Sequence, residues 1–161
     1  MHLKLIENDT RYVEGQPFPY YFTEEITFQG DDYTKDGDKR DLTFLLNRPK
    51  TTKHSKENPS PALMYLHGGG AIALDARFAD YPCQRWADEN DLVVFNLEYR
   101  LAPETPAPGG IMDCYAGLRY IIVNAEKYGV DPKRVTFTGD SGGGYLSMAL
   151  GMELKRGASP A

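Results

Sequence analysis

Apolar positions in the first part of the chain alternate or fall in short runs. Residues 24–28 carry Ile26 and Phe28, and residues 41–47 carry Leu42, Phe44, Leu45 and Leu46, on either side of a polar, glycine-bearing stretch at 30–40. Such runs, bounded by turn residues, predict two strands and a connection. Residues 50–61 are rich in Lys, Ser, Thr, Asn and Pro with no periodicity, which predicts an exposed loop containing His54. From there the pattern changes. An apolar run at 62–66 ends at His67 and three glycines, and a helix candidate at 81–89 has Pro82 in its first turn and Trp86 on its apolar side. Residues 92–97 form a continuous apolar run of the length expected for a strand buried on both faces. Beyond the proline-rich loop 101–108, Ile111, Tyr115, Leu118, Ile122 and Ala125 recur at helical spacing until Gly129 stops them. Asp131-Pro132 then turns the chain into a short strand at 135–138, and from Ser141 an apolar helical stretch runs through Tyr145, Met148, Ala149, Met152 and Leu154. Strands alternating with helices predict an α/β domain on a mostly parallel sheet.

Two glycine-rich turns carry candidate chemistry. Gly139-Asp140-Ser141-Gly142-Gly143 satisfies G-x-S-x-G between a strand and a helix, the setting of a nucleophile elbow. A sharp turn forces the serine into strained backbone angles, so neighbours without a Cβ are needed for strand and helix to approach. The helix that follows aims its free amides and dipole at charge developing on a substrate. A plainer reading also fits this motif taken alone, because strand-to-helix turns use Gly and Ser simply to bend and cap. His67-Gly68-Gly69-Gly70 follows an earlier strand, where such a fold supplies the other amide donors to an oxyanion. His67 stands at the mouth of that loop and is expected to fix it by a hydrogen bond rather than to act as a base. The stretch at 30–40 contains Asp32, Asp36, Gly37 and Asp38, but Thr43 stands where a calcium loop needs its bidentate Glu, so a solvated turn is expected.

Composition narrows the rest. With 161 residues and 41% hydrophobic content the chain can bury one core, and a net charge of −5 leaves no basic excess for nucleic acid or anionic lipid. The opening residues mix Lys4, Glu7, Asp9 and Arg11 among aliphatics, unlike a signal peptide, and no apolar run reaches membrane-spanning length. Cytoplasmic residence is therefore expected, and the sequon at Asn8 is expected to go unused. Cys83 and Cys114 lack metal or redox spacing and are expected to be buried free thiols, with no metal site.

With both motifs in place, the chain resembles the hormone-sensitive-lipase-like family of α/β-hydrolases. The resemblance rests on HGGG at 67–70, EYRLAPE at 98–104, DCYAGLRYI at 113–121 and YGVDPKRVTFTGDSGGG at 128–144, in that order. It implies hydrolysis of small carboxylic esters through an acyl-enzyme, without a cofactor. Ser141 would be the nucleophile, Gly69 and Gly70 the loop donors to the oxyanion hole, and Gly142 the donor after the nucleophile. Asp140 would belong to the motif and not to the triad. Tyr99, Arg100, Pro103 and Glu104 would brace the glycine loop. Two departures stand out, Gly142 for the family's usual alanine and Tyr145 where asparagine is common. The resemblance also implies one incomplete domain, with residues 1–23 a cap-like segment and 24–161 the sheet and helices. In this fold the triad acid and base follow the serine, yet beyond Ser141 there is no Asp or His, and Glu153 lies in the helix that the serine opens. The expectation is a fragment, nearly inactive alone, with the 135–138 strand left as an apolar edge.

Three other kinds of protein share part of this pattern. A chymotrypsin-like protease shares GDSGG, but it is all-β, and neither His54 nor His67 has the required AAHC setting. A phosphate-binding loop would need a Lys-Ser/Thr pair after its glycines. A non-catalytic relative that keeps the pocket without the base fits the same residues.

Overall fold

The computed structural model describes residues 21–30 and 40–157. Five strands form one sheet in the order β1-β2-β4-β3-β5. β1 is Glu24–Gly30, β2 Arg40–Asn47, β3 Ser60–Leu66, β4 Val93–Glu98 and β5 Val130–Gly139. The sheet is more mixed than the pattern suggests: β1–β2 and β2–β4 pair antiparallel, while β3–β4 and β3–β5 pair parallel. The connections give the reason. A parallel pair needs a long crossover, usually helical, and among the described residues helices enter only after β3.

Those helices are α1 (Asp80–Asn90), α2 (Gly109–Val123), α3 (Ala125–Tyr128) and α4 (Gly142–Lys155). α1 and Ala79 just before it cover one face, where Cys83 and Ala87 meet Leu63, Tyr65 and Val94. The other face packs Phe44, Met64, Leu66, Phe95 and Leu97 against Cys114, Leu118 and Ile121 of α2 and Leu146 and Leu150 of α4. Each large apolar side chain buried this way contributes about 1.5–3 kcal/mol. β4 is buried from Val93 to Leu97, as its unbroken apolar run requires. Both cysteines are free and buried.

Three boundaries differ from the sequence reading. α1 is preceded by a short 3-10 turn, Ala76–Ala79, with no periodic signal of its own. The predicted 111–125 helix is two helices, interrupted at Asn124, whose side-chain amide donates to the Tyr120 carbonyl at 2.9 Å. β5 starts at Val130 and absorbs the Asp131-Pro132 turn as an irregularity, because Val130 pairs with Ser60 but Val135 with Ala62. The Asp131 carboxylate holds the extra residues by accepting from the Lys133 amide and the Arg134 Nε, each at 2.9 Å. The loop before β3 is largely exposed as expected, although His54 is half-buried, with Nε2 3.7 Å from Asp91 Oδ2.

β5 ends the sheet, and beside it α4 turns Tyr145, Met148 and Met152 to solvent. No helix among the described residues is long and apolar enough to cross a membrane. The aspartate-rich turn with Asp32, Asp36, Gly37 and Asp38, the Asn8 sequon and nearly all of the cap-like segment lie outside the described residues.

Candidate active site

The parallel pair β3–β5 aligns Leu66 with Gly139, so the two strands end level and side by side. The glycine loop leaves one strand and the serine turn leaves the next. Ligands of open α/β sheets bind beyond such carboxyl ends.

Ser141 has φ 48° and ψ −113° and is exposed. For a non-glycine residue that conformation costs about 1–3 kcal/mol and persists only where the surroundings over-determine it. The plainer reading of the serine, as a helix cap, does not hold, since its side chain makes no capping bond. Capping falls instead to the Asp140 carbonyl, which accepts from the Gly143 amide at 2.8 Å and the Gly144 amide at 3.3 Å. Among the described residues no group hydrogen-bonds the Ser141 hydroxyl; His67 is turned to Gly68 and His54 lies beside Asp91.

The turn packs directly on the glycine loop. A Cβ on Gly142 would stand 2.7 Å from the Gly70 nitrogen and 2.8 Å from its Cα, so the alanine usual in the family would push this loop aside. Gly69 has φ 103°, which a side chain disfavours, and its carbonyl closes a turn by accepting from the Ile72 and Ala73 amides at 3.1 Å. The amides of Gly69, Gly70 and Gly142 have no acceptor among the described residues. Gly70 and Gly142 thus meet at the mouth of the turn.

Buried groups hold the loop from behind. His67 is fully buried, and its Nδ1 donates to the Gly68 carbonyl at 2.8 Å, the loop-fixing bond expected of it. Its ring stacks on Tyr99 at 4.2 Å, and the Tyr99 hydroxyl donates to the His67 carbonyl at 2.6 Å. The Ala102 amide donates to the Ala71 carbonyl at 2.9 Å. Arg100 acts one step further back, clamped on Asp113 of α2. Pro103 and Glu104, also expected to brace the loop, are exposed, and Glu104 makes no hydrogen bond among the described residues.

Sequence reasoning missed two neighbours. Tyr65, two residues before His67, donates its hydroxyl to Asp140 Oδ1 at 2.5 Å. Burial, reinforced by that carboxylate, pushes the Tyr65 phenol well above the usual tyrosine range. Glu98, at the end of β4, accepts from the Ala76 amide at 2.7 Å and so ties down the chain after the glycine loop. Its carboxyl is raised by burial, an effect opposed by that amide and by nearby His67. Neither contact has a local signature in the sequence.

Known proteins of this architecture surround the chain. Residues 63–161 match a family described as alpha/beta hydrolase fold. Esterase LipI of Mycobacterium tuberculosis (strain ATCC 25618 / H37Rv) is 33% identical over 101 residues, covering 63% of this chain and 32% of that protein. Arylacetamide deacetylase of Oryctolagus cuniculus is 43% identical over 96 residues, 57% of this chain and 24% of that protein. Among solved structures, a bacterial heroin esterase superposes with a TM-score of 0.74 at 36% identity, covering 86% of this chain and 41% of that one. A hyperthermophilic esterase from Pyrobaculum calidifontis gives 0.72 at 31%, covering 88% and 42%. The chain therefore spans about a quarter to a third of the length of these curated relatives and about two-fifths of these structures. It belongs to the α/β-hydrolase-fold family, in its hormone-sensitive-lipase-like branch.

Proposed function

We propose that the chain carries the nucleophile and oxyanion hole of a serine carboxylesterase acting on small esters. The observation that carries this reading is the exposed Ser141, strained at φ 48° and uncapped, beside the free amides of Gly70 and Gly142. The Ser141 oxygen would attack the ester carbonyl, its proton passing to a base. The carbonyl oxygen, now negative, would be met by the amides of Gly69, Gly70 and Gly142, each worth about two to three orders of magnitude in rate. Collapse would expel the alcohol and leave an acyl-enzyme, which water then hydrolyses.

The base and its acid partner are not among the described residues near Ser141. A serine without its base is a poor nucleophile, so this chain alone should keep only the residual catalysis of the oxyanion hole and binding, at most about 10³–10⁴-fold over water. Incubation with 4-nitrophenyl acetate and with an organophosphonate probe tests both parts of the reading. Slow turnover and slow labelling, both abolished in Ser141→Ala, are expected. Vigorous turnover lost in that variant would refute the predicted near-inactivity, and labelling that ignores the substitution would refute the nucleophile.

A further inference from the structure

Building on the reading of Ser141 as nucleophile, we propose that Tyr65 and Asp140 form a clamp that aims it, Tyr65 serving as a positioning residue that acts through Asp140. Asp140 is held on both sides of its Cα. Its carbonyl accepts the Gly143 and Gly144 amides, and its Oδ1 accepts the Tyr65 hydroxyl across 75 positions of sequence. Its Oδ2 lies against Gly68 so closely that any side chain there would collide with it. One carboxylate thereby touches the strand before the glycine loop and the loop itself, and it belongs to the residue preceding the nucleophile.

Tyr65 is a firm anchor for this arrangement. It is 5% exposed, and its ring meets Trp86 of α1 edge-on at 5.0 Å. Ser141 by contrast has no side-chain bond and an unfavourable φ, so its conformation depends on what precedes and follows it. α4 fixes the following side. On the preceding side the anchor is Asp140, and Tyr65 decides where that carboxylate sits. Losing the hydroxyl frees the turn to relax, which swings the serine oxygen away from the amides of Gly70 and Gly142.

The test measures how fast a 4-nitrophenyl alkylphosphonate labels Ser141. In that step the serine oxygen bonds to phosphorus, 4-nitrophenolate leaves, and the serine proton goes to solvent. Wild type, Tyr65→Phe, Asp140→Ala, Asp140→Asn and the Tyr65→Phe/Asp140→Ala double variant are compared at equal folded fraction. Each of Tyr65→Phe and Asp140→Ala is expected to slow labelling by about 10–100-fold, the scale of a misplaced reacting group. The double variant should be no slower than the slower single, because both remove one interaction. Asp140→Asn keeps an acceptor oxygen and should recover most of the rate. Independent, multiplying losses, or a Tyr65→Phe rate equal to wild type, would overturn the clamp. Should Asp140→Ala fail to fold, Tyr65→Phe against Asp140→Asn decides on the same criteria. If wild type is not labelled at all, the reading of Ser141 fails, and hydrogen exchange judges the clamp separately: faster exchange at the Gly142–Gly144 amides in Tyr65→Phe supports it, and unchanged exchange overturns it.

Discussion

Asp113, fully buried on α2, grips Arg100 three ways: it accepts the Arg100 backbone amide at 2.9 Å, and Nε and Nη2 of the same residue at 3.0 Å each. Arg40 of β2 adds a bond from Nε at 2.6 Å. One carboxylate thus joins α2, a strand near the sheet's far edge and the loop behind the glycines. Removing one partner of a buried ion pair strands the other, at about 3–5 kcal/mol. Asp113→Ala is expected to lose that much in urea unfolding, more than Arg100→Ala, which leaves Arg40 in place. Arg100→Lys should not restore wild-type stability, since an ammonium cannot reproduce the two-pronged contact. A loss below about 1 kcal/mol in Asp113→Ala would contradict this account.

Two glycines of α4 should respond to alanine with opposite signs. At Gly143 an added Cβ falls far inside contact distance of the Leu66 carbonyl, a backbone atom that cannot yield, and the elbow should be destabilised by about 3 kcal/mol or more. At Gly151 the nearest atom is 3.9 Å away, on the Phe137 ring, so alanine fits and improves helix propensity by about 0.5–1 kcal/mol. Thermal unfolding of the pair checks the packing of α4 on β3 and β5, and equal effects would show that the turn is looser than described.

Glu98 should leave a mark on stability against pH. Burial raises its carboxyl above the ordinary glutamate value of 4.5. Between the unfolded and folded values the folded chain therefore holds this proton more tightly, so the contribution of Glu98 to stability is full below 4.5 and is lost as pH rises through the raised value. Glu98→Gln removes this dependence while keeping an acceptor for the Ala76 amide. Relative to the variant, urea midpoints measured upward from pH 4.5 should decline more in wild type; parallel curves would mean that the Glu98 carboxyl is not raised in the folded chain.

Much of the architecture was legible because its signals are local. The β4 run of apolar residues reads as a doubly buried strand, and Gly129 ends the second helical stretch where a left-handed residue is needed, at φ 67°. The break at Asn124 and the 3-10 turn were not legible, because each rests on a few local hydrogen bonds that leave no periodic trace.

Sequence alone determined the elbow, the glycine loop and the alternation of strands and helices. These follow from glycine placement and hydrophobic period, properties of neighbouring residues. Tertiary structure alone decided that β3 lies between β4 and β5, that β1 and β2 join antiparallel, and that Leu66 ends level with Gly139. Strand order and register minimise exposed apolar surface over the whole sheet, which no local window can register. The same holds for the bonds of Tyr65 to Asp140 and of Arg100 to Asp113: each joins elements far apart along the chain, and only folding reveals that the turn bearing Ser141 is held from behind.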